Sequence, residues 1–191
     1  MDRPYRIAVL GGSTGGKTSL ILRFITNSTS FLHYLDPASD DAYRKGCSID
    51  GESVVLEVID SQNVEYSAFT DQIIRSSDGF LIVYSVTSRA VFEELKEFHD
   101  KVLLVKDEPS VPMVIVGNKC DLESERQVPS AEGEELAKEW NCPFFETSMM
   151  TGHNVETVFF QVVRQIWASN VTGNNSNEAE QPKKKEKCLL M

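Results

Sequence analysis

The chain has 191 residues, 41% of them apolar, which suits one compact domain with a full core plus a tail and argues against two domains. Lys and Arg number 19 against 29 Asp and Glu, and the resulting charge of −10 excludes a nucleic-acid binder that relies on general phosphate attraction. Of the four cysteines, Cys47, Cys120 and Cys142 stand singly in or beside apolar runs and Cys188 is fourth from the end. Neither a disulfide framework nor a metal-ligand spacing is visible, so a reducing cytosol is expected. No apolar signal segment opens the chain and no run approaches the roughly 18 apolar residues of a spanning helix, so any membrane attachment would be acquired.

The first apolar run, Tyr5 to Leu10, reads as a strand and leads directly into Gly11-Gly12-Ser13-Thr14-Gly15-Gly16-Lys17-Thr18, a match to G-x-x-x-x-G-K-[ST]. An amphipathic run from Thr18 to about Thr26 follows as a helix. In that context the glycine-rich turn is a phosphate cradle: its backbone N–H groups curl inward and the helix adds its positive end. Lys17 reaches the outer phosphates and Thr18 ligates Mg²⁺. Gly11 through Ser19 are the candidate phosphate-binding residues.

Further along, Cys47 to Asp50 reads as a strand that turns tightly through Gly51-Glu52 into Ser53. Ser53 to Ile59, Phe80 to Ser85, Met113 to Gly117 and Pro143 to Phe145 are strand-like as well. Helical patterns cover Ser67 to Ser77, Ser88 to Lys106, Ser130 to Trp140 and Asn154 to Ser169. This alternation predicts an α/β protein of the P-loop NTPase class, with a six-stranded, mostly parallel sheet and helices on both faces. The hairpin near Gly51 supplies an antiparallel edge. Ligands of such sheets collect at the carboxyl ends of the strands, where the loops after Leu10 and Gly117 both fall. The second of these loops is Asn118-Lys119-Cys120-Asp121. Asn and Asp are common turn residues after a strand, so the tetrapeptide gains its weight from following a P-loop by roughly a hundred residues in one fold.

With both loops in view the chain resembles the Ras family of small GTPases over essentially its full length, in particular the branch of Ras, Rap and Di-Ras proteins. The likeness includes Asp41-Ala42-Tyr43-Arg44-Lys45, the run Gly79 to Thr87, and Val114 through Leu122. It implies a GTP-binding, GTP-hydrolysing signalling protein with GTP or GDP and Mg²⁺ as ligands. Guanine contacts are implied for Asn118, Lys119, Asp121, Leu122, Ser148 and Met149. Asp121 would accept from the ring N–H and exocyclic amine of guanine, a pattern adenine cannot supply. Lys119 would lie over the base plane and Asn118 would tie its loop to the P-loop. Thr18 and Asp60 are the implied Mg²⁺ ligands, and Lys17 would act electrostatically on the phosphates. In the stretch Glu146-Thr147-Ser148-Met149-Met150, Met149 replaces the family's Ala and Met150 its Lys. The contact at Met149 is a backbone N–H, so guanine choice is expected to survive.

Four departures from the family bear on hydrolysis and switching. Ser13 stands where this branch carries Gly and crowds the approach of an arginine finger and a water-positioning Gln to the γ-phosphate. Asp36-Pro37-Ala38 lacks the hydroxyl that ligates Mg²⁺ once GTP is bound. Asp60-Ser61-Gln62-Asn63-Val64-Glu65-Tyr66 is one residue short, and either Val64 or Asn63 takes the catalytic Gln position. About two extra residues between Phe24 and Asp36 leave Phe31 or Tyr34 as the residue shielding the ribose. Slow intrinsic hydrolysis and a poor response to activating proteins are therefore expected. The segment Asp36, Pro37, Ala38, Ser39, Asp40, Asp41, Ala42 and Tyr43 corresponds to the family's effector region, altered at Ala38 and Ser39, so effectors and exchange factors are not transferable.

Residues 1–169 form the expected GTP-binding domain and 170–191 a flexible tail. From Asn170 to Pro182 the composition is polar and aperiodic, as in a tether. Lys183, Lys184, Lys185 and Lys187 then precede Cys188-Leu189-Leu190-Met191, a C-a-a-X box that predicts farnesylation of Cys188. One lipid binds weakly, and lysines facing anionic lipid supply the second attachment, at about 1 kcal/mol each. The expected location is the cytoplasmic face of the plasma membrane with a cytosolic pool, and the expected state a monomer. The alternative is a pseudo-GTPase acting as a prenylated scaffold or decoy; a P-loop ATPase or nucleotide kinase is disfavoured by Asn118 to Asp121. His33, His99 and His153 share no motif and read as surface or helix-edge residues, while Trp140, Phe159, Phe160 and Trp167 read as packing helices onto the sheet.

Overall fold

The computed structural model describes residues 3–27, 42–61, 68–108 and 110–176. Six strands, β1 (Tyr5–Leu10), β2 (Ala42–Ile49), β3 (Glu52–Asp60), β4 (Gly79–Ser85), β5 (Met113–Asn118) and β6 (Phe144–Thr147), form one sheet in the order β2-β3-β1-β4-β5-β6. All neighbouring strands run parallel except β2 and β3. The hairpin turns through Asp50 (φ 52°) and Gly51 (φ 91°), and two consecutive left-handed residues are the geometry a two-residue hairpin loop requires. Parallel strands need crossovers, supplied by α1 (Lys17–Thr26), α2 (Ala68–Ser76), α3 (Arg89–Glu93), α4 (Leu95–Lys106) and α5 (Ser130–Glu139), with α6 (Val155–Ser176) closing the chain order.

β4 and β5 are buried along their whole length, as strands covered on both faces must be. Alternate side chains divide the core into two layers. Ile7, Val9, Leu81, Val83, Val114 and Val116 pack against Leu20, Phe24, Phe159 and Val163 of α1 and α6. On the other face Ala8, Leu10, Phe80, Ile82, Tyr84 and Ile115 meet Ile74, Val91, Leu95, Val102 and Ala137 of α2 to α5. Register also aligns a polar row: Arg6 and Arg44 both pair with Glu57, Arg6 Nε at 3.0 Å from Oε1 and Arg44 Nη2 at 2.7 Å from Oε2.

Three elements differ from the sequence expectation. The Cys47 strand begins at Ala42, because β2 pairs with β3 along its full length from Ala42↔Ile59 to Ile49↔Glu52. The single helix expected over Ser88 to Lys106 is broken at Glu94 (φ −71°, ψ −16°), whose N–H donates to the Ala90 and Phe92 carbonyls; Val91 and Leu95 on either side of this turn both stay in the core. The last helix runs past Ser169 to Ser176, since extending an existing helix adds one hydrogen bond for each residue ordered. Among the described residues no helix is long and apolar enough to cross a membrane.

Candidate functional site

The loop between β1 and α1 is compact because Gly11, Gly12, Gly15 and Gly16 carry no side chains. A Cβ on Gly11 (φ 138°) would lie 2.0 Å from the Val83 carbonyl oxygen, and one on Gly16 (φ 81°) 2.6 Å from Asn118 Nδ2. Gly15 N–H donates to the Gly12 carbonyl at 3.2 Å and closes the curl. Lys17 is only 6% exposed, and its ammonium donates to the Gly11 and Gly12 carbonyls at 2.7 and 3.0 Å, which sets a fixed positive charge across the loop. Gly16 forms the N-cap of α1 and has no side chain with which to cap it, so the helix head is suited to an anion. Ser13 and Thr14 are exposed at the loop's tip, and Ser19 is half-buried in the first turn of α1. This backbone-lined cradle fits a polyphosphate.

Thr18 Oγ1 donates to Asp60 Oδ2 at 2.5 Å, and Asp60, at the carboxyl end of β3, is 1% exposed. A hydroxyl and a carboxylate are hard oxygen donors, a set that fits Mg²⁺. Beside them Ser61 is held by its N–H and Oγ, both donating to the Val9 carbonyl at 3.3 and 2.8 Å.

The loops after β5 and β6, where the base contacts are expected, are stitched to the cradle by side chains. Asn118, 1% exposed at the end of β5, donates through Nδ2 to the Gly15 and Gly16 carbonyls at 3.1 and 3.4 Å. Its Oδ1 accepts from Thr147 Oγ1 at 3.2 Å, so one amide joins the glycine loop to the ends of β5 and β6. Lys119 adopts φ 66° and donates from Nζ to the Thr14 carbonyl at 3.1 Å. Asp121 is exposed and Leu122 half-buried, and a turn bond from Leu122 N–H to the Lys119 carbonyl at 3.0 Å holds them. Ser148 is fully buried: its N–H donates to the His153 carbonyl, and its Oγ accepts from Thr151 N–H at 3.1 Å. Met149 is half-buried, while Met150 is 60% exposed. Burial, with Glu146 and Asp121 nearby, raises the Cys120 thiol pKa, which keeps it protonated at neutral pH.

Sequence reasoning missed Arg126. Its guanidinium grips Glu146 with two bonds at 2.7 and 3.0 Å, donates to Glu123 Oε2 at 2.8 Å and reaches the Val128 carbonyl at 3.1 Å. These bonds raise the Arg126 pKa further and tie the segment after Asp121 to the end of β6. No local pattern signals a pair twenty positions apart. His99 is likewise more than an edge residue: it stacks on Trp140 with ring centroids 4.1 Å apart and planes at 11°.

Ala42 and Tyr43 lie at the start of β2, opposite Ile59 and Val58. Phe31, His33, Tyr34, Asp36, Pro37, Ala38, Ser39, Asp40, Asp41, Gln62, Asn63, Val64, the tail lysines and Cys188 lie outside the described residues. Among the described residues no group of three or more His, Cys, Asp or Glu is arranged to hold a metal.

The sequence pattern of the Ras family matches residues 6–168. The Ras-like protein rasB of Dictyostelium discoideum is 45% identical over 167 residues, which cover 87% of this chain and 84% of that protein. A P-loop closed onto an Asn-Lys-x-Asp loop, in a sheet of this order and with these matches, leaves one assignment: the chain belongs to the Ras family of small GTPases.

Proposed function

We propose that this GTP-binding signalling protein is a membrane-anchored member of its family that hydrolyses GTP slowly. The observation that carries the binding part is the Asn118 amide, which fastens the phosphate cradle to both base-side loops and so supports a single nucleotide-shaped cleft. Gly11 through Ser19 hold the phosphates by backbone N–H groups and the Lys17 charge, and Thr18 and Asp60 hold Mg²⁺. When bound, the ion neutralises charge on the outer phosphates. Asp121 reads guanine, and Lys119, Leu122, Ser148 and Met149 complete the base site. A carboxylate committed to two donors is left without them by adenine, which favours the guanine nucleotide by about 10⁴. Calorimetry in Mg²⁺ is therefore expected to give GDP binding at least a thousandfold tighter than ADP, and equal affinities would sink the reading.

Slow hydrolysis follows from sequence: neither Asn63 nor Val64 can orient a water as Gln does, and Ser13 adds bulk beside the γ-phosphate. In single-turnover assays GTP is expected to persist for hours. Turnover as fast as that of a Ras protein with its activator would refute this, and GTP wholly unchanged would favour the scaffold alternative. Anchoring rests on Cys188 and the four lysines before it: Cys188→Ser is expected to move the protein from plasma membrane to cytosol.

A further inference from the structure

Lys45 sits in the edge strand β2 with its side chain 16% exposed, and its ammonium meets partners from two other elements. It donates to the Phe24 carbonyl and to Asn27 Oδ1 at 3.2 Å, lies 3.7 Å from Glu156 Oε1, and sits 4.3 Å from the centroid of the Phe24 ring. Phe24 and Asn27 form the foot of α1, and Glu156 is in the first turn of α6. The Phe24 carbonyl belongs to the last turn, where helix carbonyls lack partners within the helix and the dipole favours a cation. Phe24 is itself clamped to α6, stacked on Phe159 at 4.0 Å and edge-on to Phe160 at 6.4 Å.

The same helix carries Lys17 and Thr18 at its head. A ten-residue helix is a stiff rod of about 15 Å, so rotation allowed at one end displaces the other. Resting on the GTP-binding reading, we propose that Lys45 is a positioning residue for nucleotide retention: by pinning the foot of α1 to β2 and α6 it holds the cradle at the head in its binding geometry and slows release. Nucleotide and Lys45 then stabilise the same placement of α1 from opposite ends, and coupling of that kind is reciprocal.

The test is release of a fluorescent GDP analogue chased by excess unlabelled GDP in Mg²⁺. Lys45→Met keeps an unbranched side chain of similar length and removes the charge and the donors; it is expected to speed release about tenfold while changing association less than about twofold. Lys45→Arg, which restores charge and donors, is expected to stay within about threefold of the unsubstituted protein. Asn27→Gly removes one acceptor but keeps the left-handed backbone (φ 53°), so it is expected to speed release about threefold even if Lys45→Met folds poorly. Arg164→Ala breaks a bidentate pair with Asp50, both bonds 2.7 Å, at the far end of the hairpin and is expected to leave release unchanged. Unchanged release in Lys45→Met and Asn27→Gly, or equal acceleration by Arg164→Ala, would overturn the proposal. Failure of the unsubstituted protein to take up the GDP analogue would overturn the GTP-binding reading beneath it as well.

Discussion

The phosphate cradle and the base-side loops face one another yet are built by opposite means. The cradle is eight consecutive residues whose shape comes from missing side chains, with Gly11 and Gly16 at positive φ and Val83 pressed against the turn. The base side is assembled from three separate stretches of chain by bonds between side chains: Asn118 to Thr147, Arg126 to Glu146, and Asn154 Nδ2 to the Glu146 carbonyl at 2.9 Å. Adding an atom should therefore damage the first, and deleting a group the second.

The sharpest break is Gly11→Ala. With Cβ 2.0 Å from a backbone oxygen, in a strand buried on both faces, neither side can yield cheaply. A loss of more than about 4 kcal/mol in denaturant unfolding is expected, with little folded protein recovered. Recovery at the unsubstituted midpoint would show that the loop adapts.

On the base side, Arg126→Met keeps the apolar stem and strands Glu146, whose side chain is only 19% exposed. The expected cost is about 2 kcal/mol, a melting temperature lowered by roughly 4–8 °C, and GDP affinity reduced about tenfold. Loss of stability without loss of affinity would separate the ion pair from the site and redraw the comparison.

A smaller, pH-dependent effect sharpens it. Cys142, just before β6, has its thiol pKa pushed up by burial to about 11 from an ordinary 9.0. The folded state thus holds the proton more tightly than the unfolded chain. This contribution is complete below pH 9 and lost as pH rises toward 11, an effect of about 2 kcal/mol. The stability advantage over Cys142→Ala is expected to shrink between pH 8 and pH 10.5 in urea titrations; a constant difference would show that the thiol does not titrate in that window.

The same contrast explains what could be read from the chain. Cradle residues 11–18 are contiguous, and their chemistry needs only a preceding strand and a following helix, both marked by local apolar periodicity. Asn118 could be placed by its neighbours, but Arg126 is an arginine in a polar stretch until folding brings Glu146 against it. Likewise Lys45 follows Arg44 in a strand with nothing to distinguish the two, yet one reaches Glu57 on the sheet and the other the foot of α1. The Glu94 break was hidden because Val91 and Leu95 keep helical spacing across it.

The amino-acid sequence by itself determined the alternation of strands with helical segments, the glycine turn and the family, because each is written in short contiguous runs whose order along the chain is readable before folding. Tertiary structure alone decided which distant side chains meet: Arg126 with Glu146, His99 with Trp140, Lys45 with Phe24 and Asn27. Such bonds are directional and short, and their partners become neighbours only after the sheet has brought separate elements within a few ångströms of one another.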